Sequence, residues 1–302
     1  MEGNREKKRG IFLTLAGGMC WGISGCFGQF LFQEKGATAN WLVSIRLLTA
    51  GILLLIIGYI HQGKKLNEVF HKGADAKKLL GFSVFGMLFC QYTYFAAVQY
   101  SNAGTATVLQ ALAPTVILAF VCIRHLKLPK GFELTAVISA ILGVFLLSTH
   151  GNIHNMMLTK QALFFGLASA VGAASYNLLA ADLLRGYGVY VVVGFGMLFG
   201  GLILCAIVRP WEYMIPLDGE TLLALFGVIV IGTAIAFSLY LKGVSIVGAF
   251  MGSLLGTVEP VTAIVVSAIF LGSKFQWIDL LGFVLILGTV LLLSLRSPHE
   301  EA

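Results

Sequence analysis

Charge is scarce in this sequence. Only 11% of its 302 residues are Asp, Glu, Lys or Arg, against about 25% in a soluble domain. With 58% hydrophobic residues and a mean hydropathy of +0.90, a water-soluble core of this size could not hide the apolar surface. A bilayer could, and each crossing takes roughly 20 apolar residues. Metal-site and catalytic patterns are missing as well. The five cysteines (Cys20, Cys26, Cys90, Cys122, Cys205) all sit inside apolar runs, none as C-x-x-C, and no His/Cys cluster has zinc spacing. They read as small buried hydrophobes. There is no G-x-S-x-G, H-E-x-x-H, Walker A or dinucleotide fingerprint, and His61, His71, His125, His150, His154 and His299 lie in loops or at helix ends. An enzyme is therefore not expected, nor a cofactor. With no ATP site, energy must come from substrate or ion gradients.

What is present is a series of apolar runs, near 10–32, 39–60, 79–100, 104–123, 131–149, 161–183, 189–208, 220–242, 246–271 and 277–296. The N-terminus is basic and then apolar, like a signal peptide, but its run is too long for an h-region and no small-x-small cleavage site closes it, so it reads as a retained first helix. The pattern predicts an all-α integral membrane protein with ten transmembrane helices. With the N-terminus inside, the inner segments carry Arg5, Lys7, Lys8, Arg9, Lys64, Lys65, Lys72, Lys77, Lys78, Arg124, Lys127, Lys130, Arg185, Lys242 and Arg296. The outer ones carry only Lys35, Lys160, Arg209 and Lys274. Lys and Arg gather on the cytoplasmic side, so both termini are expected there, in a bacterial plasma membrane. The net charge of +6 then lines a lipid surface and needs no nucleic acid as partner.

One run holds an oddity. "LLGTVEPVTAIVV" (254–266) places Glu259 and Pro260 side by side in an otherwise apolar stretch. A carboxylate is costly there and a proline removes a helical hydrogen bond. A self-comparison explains part of it. Shifted by 146 residues, "YFAAVQYSNAGTATVLQALAPT" (94–115) falls on "YLKGVSIVGAFMGSLLGTVEPV" (240–261), so Tyr94 meets Tyr240, Thr107 meets Ser253 and Pro114 meets Pro260. The front of each half aligns with a shift of 152, Gly36 on Gly188. Each half, 1–150 and 151–302, then holds five helices. An odd number makes the second half enter the membrane from the opposite side. Two inverted five-helix repeats around a central cavity are a transporter arrangement, with the substrate near the midplane.

The chain resembles the EamA family of the drug/metabolite transporter superfamily. The resemblance rests on "CWG" (20–22), "IRLLTAGILLL" (45–55), "YSNAGTATVLQALAPT" (100–115) and "VEPVTAIVVSAIFLGS" (258–273). It covers nearly all ten helices and is strongest to uncharacterised bacterial inner-membrane proteins of exporter type. It implies ten helices, cytoplasmic termini and alternating access, with small metabolites such as amino acids, nucleosides or drugs moved mostly outward. Family members often end helices 4 and 9 with Leu-Gly-Glu, where this chain has "CIRHLK" and "LGSK", so no role of that glutamate carries over.

The expected function is a secondary active exporter of small amphipathic metabolites, amino acids among them. Multidrug or cationic-compound efflux and a proton-independent facilitator are the alternatives within the class. A non-transporting membrane sensor is the alternative outside it, and it would usually add a soluble domain for which the termini leave no room. Glu259, about 20 Å along its helix at 1.5 Å per residue, is the foremost substrate or proton site. Arg46 suits a substrate carboxylate or a pairing with Glu259, though it could also snorkel outward. Trp21, Ser24 and Gln29 in helix 1, Gln91 and Tyr94 in helix 3, and Gln110, Tyr176, Asn177 and Ser238 are candidates for the cavity wall. Asp182, near a cytoplasmic helix end, reads as solvated. Pro114 and Pro260 are expected to kink their helices. Gly248, Gly252 and Gly256 read as a smooth packing face. Expected partners are the lipid bilayer, a small-molecule substrate and protons, in a monomer or homodimer.

Overall fold

The computed structural model describes residues 2–126, 128–129, 131–152 and 156–296. Lys127, Lys130 and His154, used in the sequence reading, and residues 297–302 with His299 lie outside them. Among the described residues the chain is helix and loop throughout. We number the helices α1 Glu2–Glu34, α2 Ala39–Gln62, α3 Gly73–Tyr100, α4a Ala103–Gln110, α4b Ala113–Arg124, α5 Phe132–Thr149, α6 Lys160–Tyr187, α7 Val189–Val208, α8 Gly219–Val247, α9a Ala249–Gly256, α9b Val258–Phe270 and α10 Trp277–Arg296. Eight helical stretches are long and apolar enough to cross a membrane, with α4a and α4b counted as one, while α9b and α10 supply shorter apolar segments.

Local chemistry sets the ends. Thr38, Asn102, Thr159 and Asp218 each cap the following helix by accepting a backbone N–H three residues on, which satisfies a donor that has no helical partner. Gly36 and Gly188 follow the first helix of each sequence half at φ +67° and +77°, a left-handed backbone that other residues adopt only at a cost.

The prolines coincide with interruptions. The chain leaves the helix at Ala111 and Leu112, just before Pro114, and at Thr257, just before Pro260. Two widened segments also appear. Phe82–Leu88 within α3 and Gly227–Ile235 within α8 are π-helical; in α8 the Ala236 N–H reaches back five residues to the Ile231 carbonyl.

Packing joins the two sequence halves. The pairs α2–α7, α1–α8, α3–α6, α5–α10, α1–α9b and α4a–α6 make the principal contacts. Glycines permit the closest ones. A Cβ on Gly51 of α2 would stand 2.6 Å from the Leu198 nitrogen of α7, and one on Gly201 of α7 would stand 2.7 Å from the Leu48 nitrogen of α2. Gly22 of α1 lies against the turn carrying Glu259, where a Cβ would come 2.9 Å from Thr262 Cβ.

The expected three-glycine face on helix 9 needs correction. Gly248 closes α8 at φ +85° with open space around it, while Gly252 and Gly256 pack back onto Val244 and Tyr240 of α8. The i, i+4, i+8 spacing persists across a helix end because spacing alone does not register the end. Outward, Ile60, Phe85, Ile123, Ile269 and Phe270 are exposed, an apolar exterior suited to hydrocarbon.

Candidate functional site

Arg46 enters the bundle from α2 and is only 4% exposed. Its Nη1 donates to Gln91 Oε1 of α3 at 2.9 Å and its Nη2 to the Gly232 carbonyl of α8 at 3.4 Å. The guanidinium lies over the Phe95 ring at 4.9 Å. Its Nε is buried with no partner. The Gly232 carbonyl belongs to the π-helical segment, where a changed ladder turns carbonyls toward side-chain donors. The nearby Val228 carbonyl receives both Ser24 and Thr233, each at 3.5 Å. No carboxylate comes within 4.0 Å of Arg46 among the described residues, so this buried cation is held by neutral groups alone.

Glu259 sits in the first turn of α9b and is part-buried. Its carboxylate has no hydrogen-bond partner among the described residues; Arg46 acts on it only through space. Tyr94 and Tyr240 also lie within its electrostatic reach. Tyr94, 6% exposed, shares a 3.0 Å hydrogen bond with Thr107 of α4a. Tyr240 donates to the Gly252 carbonyl at 3.1 Å and packs on Trp21 with ring centroids 4.8 Å apart. Gln110 donates to Cys90 Sγ at 3.6 Å, and Tyr176 neighbours Cys90 and Tyr240.

Of the residues singled out in the sequence, Arg46, Gln91, Tyr94, Gln110, Tyr176, Glu259 and Trp21 thus form one cluster. Ser24 borders it in the α1–α8 contact, with its side chain against Gly232. Three stand apart. Gln29, 1% exposed, is fully engaged: it accepts from the Ala103 N–H at 2.8 Å and donates to Ser273 at 3.0 Å and Gln33 at 3.2 Å. Asn177 is exposed and bonds back to the Ala173 carbonyl at 2.8 Å. Ser238 meets the Tyr190 hydroxyl at 3.1 Å, beside His61 stacked on that ring. Tyr240, Cys90, Phe95 and the Gly232 carbonyl were not anticipated. The 146-residue shift that sets Tyr240 against Tyr94 was the available signal for the first.

Two cavities are lined by other residues. One of about 690 Å³ is lined by His150, Phe275, Gln276 and Trp277. Another of about 490 Å³ is a largely apolar cleft between Phe27 and Phe30 of α1, Leu223 of α8 and Phe270 of α9b. Neither lining includes Arg46 or Glu259. Among the described residues no group of three or more His, Cys, Asp or Glu could hold a metal.

The sequence profile of the EamA-like transporter family matches residues 8–149 and 160–295. The chain belongs to the EamA-like transporter family. Its two matched stretches make it a tandem EamA chain, and it is a multi-pass membrane transporter. It is 39% identical to a Salmonella typhimurium protein described as the uncharacterized inner membrane transporter YicL, over 97% of both chains. It is 25% identical to the uncharacterized transporter YcbK of Bacillus subtilis, over 92% of this chain and 90% of that one. A crystal structure of a protein 17% identical to it superposes with a TM-score of 0.59, covering 96% of this EamA chain and 98% of the other. At that identity the match speaks for the fold alone. The Arg46–Glu259 cluster draws on both EamA stretches, Arg46, Gln91 and Tyr94 from the first and Tyr240 and Glu259 from the second.

Proposed function

We propose that this protein is a secondary active exporter of small zwitterionic metabolites, amino acids foremost, working by alternating access. In this reading it crosses the membrane ten times as two inverted five-helix repeats, 1–150 and 151–302, with both termini in the cytoplasm. The elements support the repeat. Gly73 and Gly219, which open α3 and α8, are 146 residues apart, as are Ala103 and Ala249, which open α4a and α9a. Both third helices carry a π segment near the same point. The contacts obey the same exchange: α1–α8 becomes α6–α3, and α1–α9b becomes α6–α4b. Halves related in this way allow two states of similar energy, one open to each side.

The observation that carries the substrate reading is a pair of unmatched charges in one cluster. A buried cation without a counter-ion is costly, and Arg46 has a free Nε besides. A substrate carboxylate would supply the missing charge. An ammonium group would do the same for Glu259, which has no hydrogen-bonding partner among the described residues, and Trp21 and Tyr240 offer aromatic faces to a cation. Proton coupling would use the same Glu259 carboxylate.

The test is flux in proteoliposomes with and without a pH gradient. Glu259→Gln should reduce flux of amine-bearing solutes about ten- to a hundredfold, the scale of one lost charge-assisted contact, and remove any dependence on the gradient. Arg46→Ala should weaken carboxylate-bearing solutes most. Equal losses for neutral and anionic solutes in Arg46→Ala, or normal pH-responsive flux in Glu259→Gln, would overturn the reading. Preference for simple cations that is insensitive to Arg46 would favour cationic-compound efflux.

A further inference from the structure

Polar contacts join the two sequence halves at both ends of the bundle, and two of them occupy equivalent places. At one end, Lys35 follows α1 directly. Its Nζ donates to Asp218 Oδ2 at 2.8 Å and to Glu220 Oε2 at 2.6 Å, where Asp218 caps α8 and Glu220 stands in its first turn. The Lys35 side chain is only 14% exposed, although both carboxylates are open to solvent. At the other end, Tyr187 closes α6, and its hydroxyl donates to Asp75 Oδ2 at 2.7 Å in the first turn of α3.

The equivalence is exact in sequence on one side. Lys35 and Tyr187 are 152 residues apart, like the left-handed glycines that follow them, Gly36 and Gly188. Each contact ties the end of a half's first helix to the start of the other half's third helix, along the packed pairs α1–α8 and α6–α3. Counting chain reversals from α1 puts the start of α8 at the end of the bundle where α1 finishes, and the start of α3 at the opposite end, where α6 finishes. Asp218 is held down to about 2, first by the hydrogen bond from Lys35 and next by the Thr221 N–H, and the same carboxylates raise the Lys35 ammonium above its ordinary value.

We propose that Lys35–Asp218/Glu220 and Tyr187–Asp75 are two gate clasps, one at each mouth of the transporter, and that the cycle releases them in alternation. This rests on the alternating-access reading above. With both clasps made and Arg46 buried, the structure corresponds to the occluded state. The two mouths are not chemically alike. One is latched by an ammonium between two carboxylates, the other by a phenol on a single carboxylate, with the exposed pair Lys78–Asp182 at 4.0 Å also joining α3 to α6.

Cys90, 8% exposed and beside the cluster, is a native reporter of its accessibility. In proteoliposomes of known orientation, a membrane-impermeant maleimide is added to one side at a time, and labelling of Cys90 is read by mass spectrometry of its peptide. Lys35→Met should raise labelling several-fold from the Lys35 side alone, and Tyr187→Phe should do so from the opposite side alone. If Lys35→Met does not fold, the double variant Asp218→Asn with Glu220→Gln removes the same clasp from the other partner; asparagine still caps α8. Increases from both sides at once, or from neither, in folded protein would overturn the clasps. Flux in the same vesicles separates the two ideas. Transport with unchanged labelling sinks the clasps alone, whereas side-specific labelling without transport of any solute sinks the transport reading and leaves them standing.

Discussion

The guanidinium of Arg46 and the carboxylate of Glu259 act on each other through space without touching. In a soluble core such a pair would normally close into contact or be replaced. Here Gln91 and the Gly232 carbonyl take the guanidinium's hydrogens, and no ion pair joins the two residues. Lys35 shows the opposite treatment. It satisfies two carboxylates at once, and its pH behaviour follows. The Asp218 carboxyl is depressed when folded, so its stabilisation is complete above the unfolded value near 4 and fades as pH falls toward 2. The Lys35 ammonium is raised, so its share is complete below about 10.4 and is lost only as pH rises beyond that. The difference in melting temperature between wild type and Lys35→Met in detergent should therefore stay constant from pH 5 to 9 and shrink below pH 4. A difference that grows in acid would contradict this ion pair.

Among the elements, α9 owes its position to α1. Gly18 and Gly22 let Val258 and the Glu259–Thr262 turn come against the α1 backbone, and the break at Thr257 frees the start of α9b to sit there. A methyl at Gly22 would meet Thr262 Cβ and the Ala263 nitrogen at about 3 Å, with rigid helix on both sides. Gly22→Ala should cost about 1–3 kcal/mol by overpacking, seen as a lower melting temperature, and should move Glu259 enough to impair flux. Unchanged stability and flux would mean that α1 and α9b are free to separate. This contact was half legible. The i, i+4 spacing of Gly18 and Gly22 suits a packing face and the Pro260 position an interruption, because small residues and proline act through local sterics that spacing reveals. The partner of each face was not legible, since it depends on which helices meet. Nor were the π segments. Nothing in "FSVFGML" or "GVIVIGTAI" distinguishes a widened turn from an ordinary one, and the donors that use its carbonyls, Ser24 and Arg46, lie more than 180 residues away.

For the molecule as a whole, composition carried the membrane assignment, charge placement the expected orientation, and the internal shift of 146 residues the proposed division into halves. Tyr240 shows where that reasoning stopped short: the shift paired it with Tyr94, yet only the folded chain places both within reach of Glu259. The expected arrangement makes a direct prediction. Reporters active only in the cytoplasm should give signal when fused at either terminus, and a reporter active only outside should give none. Outside activity at Ala302 would require an odd number of crossings and would end the inverted-repeat model.

The widened turn of α8 has one more consequence. An α-helix advances about 100° per residue, and Gly227–Ile235 interrupts that count. The stretch before it and the stretch after it are therefore out of phase, and no single helical wheel describes both. Leu223 can look into the apolar cleft while Tyr240 looks toward the carboxylate, on a schedule that an unbroken spiral would not keep. The sixteen positions between them are an angular gear, and its tooth is the slack in one turn.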